Sequence, residues 1–368
     1  MGARLLVGTR KGLFVLGRDG GGWAVEHVAF LGSPVSAVLE DDRDGTLYAA
    51  LALGHFGPKL HRSRDGGTTF EEITSPAFPA GATTGTDPVR GEPVLASVTM
   101  LWSLEAAHPD QPGVLWCGTI PGALFRSPDA GTTWTLVEAL WDHPSRREWF
   151  GGGYDFPGIH SICIDPRNRG ELLVGVSCGG AWRTADDGAS WSVACEGMAA
   201  RYMPPERVND PAIQDPHRIV RSTIEPDVLW AQHHCGIFHT TDNGAKWVEI
   251  EVAPSSFGFA VAADPTDAGS AWFVPAVSDE TRVPVDGRLV VTKVTDGGDR
   301  THVLSKGLPA EHAYDLVYRH ALDVDPTGRM LAFGSTTGSL WTSDDGGASF
   351  AAVSSTLPPI ACVRFIRA

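Results

Sequence analysis

Two histidines stand at the same distance from the same kind of turn. His160 lies five residues before Asp165-Pro166, and His320 lies five before Asp325-Pro326. A matched offset means a matched place in a repeated unit, so the two imidazoles are expected to face one common point. His217 opens a comparable segment, and His233 and His234 lie in a turn on the same side. Neutral imidazoles converging on an axis can bind a divalent transition metal. His160, His217, His234 and His320 are the candidate ligands for such an ion. Without a metal the same rings can do general acid–base work near neutral pH, or simply bond neighbouring backbone. Asp155, Asp210 and Asp215 are the nearby carboxylates able to carry a proton, and with His160, His217 and His320 they form the candidate catalytic set. Arg10, Trp141, His143, Tyr154, Tyr202, His233, Cys235, Arg282 and Tyr314 are candidate substrate contacts, and Arg319 reaches the same side. Cys235 follows His234 directly, but neighbours on an extended segment point to opposite faces, so the two are not expected to pair as thiolate and base.

The elements that must position these groups are announced by five near-copies of one eight-residue segment. They read SRDGGTTF (63–70), SPDAGTTW (127–134), TADDGASW (184–191), TTDNGAKW (240–247) and SDDGGASF (343–350). The hydroxyl and the Asp carboxylate can bond the turn's own N–H groups. The glycine tolerates positive φ, and the aromatic opens the next strand and packs inward. Weaker copies keep Asp19, Gly21 and Trp23 near the start, and Asp296 and Gly298 late in the chain. That makes seven units of about fifty residues, the period of propeller blades. Upstream of each segment lie strand-like runs such as LFRS (124–127), LLVGVS (172–177) and SICIDP (161–166). Four short strands per unit, a to d from the axis outward, predict an all-β, seven-bladed propeller of four-stranded antiparallel blades over residues 1–368. Unit one has no strand a, and the orphan ACVRFI (361–366) is expected to supply it beside LLVGT (5–9), closing the ring.

Strands that alternate in direction put the d–a connections and b–c turns on one face. The long segments 76–98, 139–158, 196–216, 274–288 and 304–318 all belong to that face, which is therefore the expected working face. Composition narrows the partners. Net charge is −15, from 29 Lys and Arg against 44 Asp and Glu, which argues against nucleic acid and anionic membranes. No 18-residue apolar run or secretory leader is legible, so a cytoplasmic protein is the expectation. Six cysteines without CxxC spacing read as buried thiols.

The five turn segments resemble the Asp-box, or BNR repeat, of the sialidase superfamily and related propellers. The resemblance covers nearly the whole chain and implies the propeller fold, with the boxes on the face opposite the usual active site. Similar propellers include sialidases, xyloglucan-active glycosidases, sorting receptors and a photosystem assembly factor. A sialidase would imply a Tyr nucleophile, for which Tyr154, Tyr202 and Tyr314 are candidates, and several Arg gripping a carboxylate, for which Arg10 and Arg282 are. The Arg-Ile-Pro segment typical of sialidases is absent. The expected function is a small-molecule hydrolase or lyase with a top-face pocket of His and carboxylates, with or without a metal. A sialidase-like glycosidase or sugar binder is the alternative, and a scaffold docking a protein partner the second alternative.

Overall fold

The computed structural model describes residues 2–20, 22–86 and 90–367, which leaves Gly21 of the weak first turn copy outside the described residues. Seven four-stranded antiparallel sheets surround an axis, and one further two-stranded hairpin (Thr83–Thr86 with Pro93–Leu95) lies in the 76–98 connection. The fold is the expected seven-bladed propeller. Innermost strands run over Val35–Asp41, Met100–Ala106, Gly158–Ile164, Pro216–Arg221, Gly258–Ala263 and Leu322–Val324 in blades 2 to 7. Blade 1 takes its innermost strand from the C-terminus: Ile360–Ile366 pairs antiparallel with Arg4–Thr9, with Val363 opposite Val7. No helix among the described residues is long and apolar enough to cross a membrane.

The turn segments work as local hydrogen-bond cages. In blade 3 the buried Ser127 hydroxyl accepts from Gly131 N at 2.9 Å and donates to Asp129 Oδ1 at 3.0 Å, while Asp129 Oδ1 accepts from Thr133 N at 2.8 Å. The same bonds recur around Ser63, Thr184, Thr240 and Ser343. The position before the shared glycine is left-handed too: Gly66, Ala130, Asp187, Asn243 and Gly346 have φ between 55° and 69°. The aromatic then staples neighbouring blades. Trp134 Nε1 donates to Thr74 O at 3.0 Å, and Trp247 Nε1 to Ala194 O at 2.9 Å, each reaching the outer edge of the blade before its own.

The innermost strands share an irregularity that matters more. In six blades the register slips near the working-face end, leaving Ala361, Ser36, Trp102, His160, His217 and Phe259 at the slips. A β-bulge re-aims the extra residue. In blade 7 His320 takes the matching place, just ahead of its strand and bridged to Cys362. The residues ringing the axis are thus chosen by one repeated bulge.

Deeper in the channel lies a polar layer. Arg364 makes two bonds of 3.2 Å to Glu105, and Arg218 Nη1 donates to His160 O at 3.0 Å. Burial pushes the Asp323 carboxyl up to about 6, against the pull of Arg364 and a 2.7 Å bond from Phe365 N. A raised carboxyl binds its proton more tightly folded than unfolded. Its contribution is therefore intact at low pH and lost as pH rises from about 4 through 6. Relative to Asp323→Asn, the wild type should lose about 2–3 kcal/mol of unfolding free energy between pH 4 and 7. Denaturant titrations at both pH values check this, and parallel profiles for the two proteins would contradict it.

Candidate functional site

A cavity of about 520 Å³ opens on the axis at the working face. Bulge residues Ser36, Trp102, His217, Phe259 and Ala361, together with His320, form its floor. The b–c turns add Arg10, Cys178, His234, Asp279, Glu280 and Arg282, and the d–a connections add Tyr154, Tyr202, Asp215 and Tyr318.

Asp215 organises one wall. Its Oδ1 accepts from Cys178 N at 3.0 Å and from Ser177 Oγ at 3.2 Å. Its Oδ2 lies 3.5 Å from His217 Nε2 and 3.4 Å from His234 Nδ1. His217 Nδ1 is 2.6 Å from Gly258 O, so that nitrogen carries the proton and Nε2 points at the carboxylate. Burial disfavours the charge on Asp215, yet bonds and charges from His217, His234 and Arg319 hold it well below the usual carboxylate range. Burial pulls His234 down, but the bond and charge of Asp215 win and raise it. Burial dominates His217 and lowers it. The pull of Asp215 thus outweighs burial at His234 but not at His217.

Arg319 lines the same cavity and is held between two aromatic faces, its guanidinium carbon 4.9 Å from the Trp102 ring centre and 5.2 Å from that of Phe259. Among the described residues it has no hydrogen-bond or ion-pair partner, and its Nε is buried and unsatisfied. Burial lowers it, with Asp215 the strongest charge opposing that fall.

Of the sequence candidates, the cavity gathers Arg10, Tyr154, Tyr202, Asp215, His217, His234, Arg282 and His320. The four candidate metal histidines do not form one cluster. The group among the described residues able to hold an ion is Asp215, His217 and His234. His160 is fully buried; its Nδ1 meets Ser161 Oγ at 2.8 Å, and its Nε2 has no hydrogen-bond partner among the described residues. His320 spends its Nε2 on the His160 carbonyl at 2.7 Å. Desolvation holds both rings neutral.

The remaining candidates have other partners. His233 is buried, with Asp215 N and Cys235 N each 3.0 Å from one of its ring nitrogens. Burial takes it down to about 3, and protonation would face both N–H groups. Cys235 Sγ accepts from Arg201 N at 3.2 Å, and burial raises its thiol. Tyr202 lines the cavity with its ring but donates its hydroxyl to Ile213 O at 2.7 Å. Asp210 caps a short turn through Ala212 N at 3.1 Å and pairs with Arg207. Trp141 and His143 line a different, shallower hollow, with Arg146 over the Trp141 ring at 3.3 Å. Asp155 and Tyr314 are exposed outside the cavity lining. Sequence reading missed Trp102. The +5 spacing holds for it too, but its blade closes at Ala107 rather than at an Asp-Pro pair.

No family model matches the chain. A stretch of 154 residues, 42% of this chain, is 27% identical to an oligoxyloglucan-reducing end-specific xyloglucanase of Emericella nidulans, and that stretch is 16% of the relative's length. Among solved structures, an ancestral GH74 enzyme superposes with a TM-score of 0.57 at 14% identity over 90% of this chain and 38% of its own. YCF48 from Cyanidioschyzon merolae superposes at 0.55 and 13% identity over 88% and 87%. A structure of YCF48 bound to a D1 peptide gives 0.52 and 17% over 87% and 83%. These likenesses show a shared propeller fold, found in a glycoside hydrolase as well as in a protein that binds a peptide.

Proposed function

We propose that the axial cavity binds a small anionic molecule and that the protein is a hydrolase or lyase acting on it. The observation that carries this reading is Arg319, a half-buried guanidinium with no hydrogen-bond or ion-pair partner among the described residues, lining a cavity of small-molecule size. A cation partly withdrawn from water without a partner is less well solvated than in the open, and an anionic ligand would make up for that. Tyr154, half exposed in the cavity lining, offers a ring for the rest of the ligand. The wall of Asp215, His217 and His234 supplies the reactive groups. The partial likeness to a xyloglucanase favours a sugar as that ligand, and Arg319 narrows it to an acidic sugar rather than a neutral glucan chain.

Titration calorimetry against glucuronate and galacturonate, with glucose and xylose as neutral partners, tests this. The acids should bind and the neutral sugars should not. Arg319→Met, which keeps the contacts to Trp102 and Phe259, should weaken acid binding about 10–100-fold. Equal affinity for neutral sugars, or an unaffected Arg319→Met, would overturn the reading.

A further inference from the structure

We infer that Asp215, His217 and His234 form a binding site for one divalent first-row transition ion at the wall of the axial cavity. The inference rests on the reading of this cavity as the working site and adds an ion to it. Three features of the geometry point there.

The first is spacing. One ligand atom from each residue lies within 4.8 Å of the other two, and Asp215 Oδ2 is 3.5 and 3.4 Å from the two ring nitrogens. Ligands about 2.0–2.1 Å from a tetrahedral zinc are about 3.3 Å apart, so small side-chain shifts complete the contacts.

The second is the orientation of His217. Gly258 O accepts from Nδ1 at 2.6 Å, so that nitrogen carries a proton and Nε2 is left turned toward an oxygen of the Asp215 carboxylate. A cation placed between that nitrogen and that oxygen would be held by both. A backbone carbonyl that fixes the far nitrogen is also how metal-bound histidines are commonly oriented. Asp215 is held in the same manner by Ser177 Oγ and Cys178 N on its other oxygen. The His234 ring is set edge-on to Tyr202 at 4.9 Å and to His217 at 5.4 Å between centres.

The third is openness. Three protein ligands leave coordination positions free, and those positions face the cavity that also holds Arg319. Structural zinc sites are closed by four protein ligands, whereas sites that act on ligands keep a position open. Two imidazoles and one carboxylate suit a borderline ion such as Zn²⁺, Co²⁺ or Fe²⁺ rather than Mg²⁺ or Ca²⁺. Arg319 lines the same cavity, so an anionic ligand there would meet both positive charges.

The test uses untagged full-length protein stripped with a chelator and titrated with Co²⁺, followed by visible absorption. One equivalent should bind with d–d bands of a low-symmetry site, and Zn²⁺ should displace it. His217→Ala and His234→Gln should each lose the bands and weaken binding at least 10-fold, while His302→Ala should leave both unchanged. Circular dichroism confirms that each variant is folded, and the more exposed His234 serves if His217→Ala is not. No stoichiometric Co²⁺ binding, or bands that persist in His234→Gln, would overturn the ion site. Loss of acid binding in Arg319→Met with the Co²⁺ bands retained separates the two proposals. Acid binding by the metal-free protein, with no Co²⁺ uptake, would leave the pocket reading standing and the ion refuted.

Discussion

Removing residues 360–368 should abolish the folded state. The deleted strand buries Ile360, Cys362, Val363 and Ile366 to 7% exposure or less, and it supplies the innermost strand of blade 1. Its loss strips the pairing from Arg4–Thr9 and opens the ring at its narrowest radius, where Val363 N also donates to His320 O of blade 7 at 2.8 Å. An exposed inner edge is both unsatisfied and prone to pairing with another chain. The expected outcome is insoluble protein, or soluble protein without a cooperative melt. Val363→Asp gives a graded version, placing a charge at a site 4% exposed and costing several kcal/mol. A truncated protein that stays monomeric with the wild-type melting temperature would contradict closure by the two chain ends.

Asp215→Ala is the point change at the site expected to cost most. The carboxylate is 5% exposed and is the partner of His217, His234, Ser177 and Cys178 N at once. Its removal orphans two donors and takes from His234 the negative charge beside its ring. Breaking such a network by removing one member costs about 3–5 kcal/mol. Asp215→Asn keeps an acceptor for Cys178 N and should cost less. The imidazole of His234, raised in the wild type by Asp215, should titrate lower in both variants. Denaturant unfolding and histidine NMR measure the two effects. A loss below about 1 kcal/mol in Asp215→Ala would mean that the carboxylate does not hold the site together.

The fold was legible because its signals are local. Each turn segment satisfies its own N–H groups within eight residues, as Ser127, Asp129 and Gly131 do. The missing strand of unit one and the surplus strand at the C-terminus then fixed the closure by counting. The site was legible only in part. The shared offset of His160 and His320 did mark equivalent places in two blades, but equivalence of backbone does not decide what a side chain meets. Ser161 captures the His160 ring, and the Ser161 hydroxyl is itself fixed by Ile219 N of the next blade at 2.9 Å. That contact depends on how blades 4 and 5 pack, which no spacing encodes. The Tyr202 hydroxyl is likewise taken by a carbonyl eleven residues on. The unpaired state of Arg319 is a property of everything around it, and only assembled blades show it.

The central claim is that the axial cavity receives an anion at Arg319. A crystal of the full chain soaked in 4-bromobenzoate and measured at the bromine absorption edge tests this most directly. The account predicts an anomalous peak inside the cavity, with the carboxylate on the Arg319 guanidinium and the ring in the open volume lined by Tyr154. Bromine peaks confined to the outer surface, with the cavity holding only solvent, would contradict it.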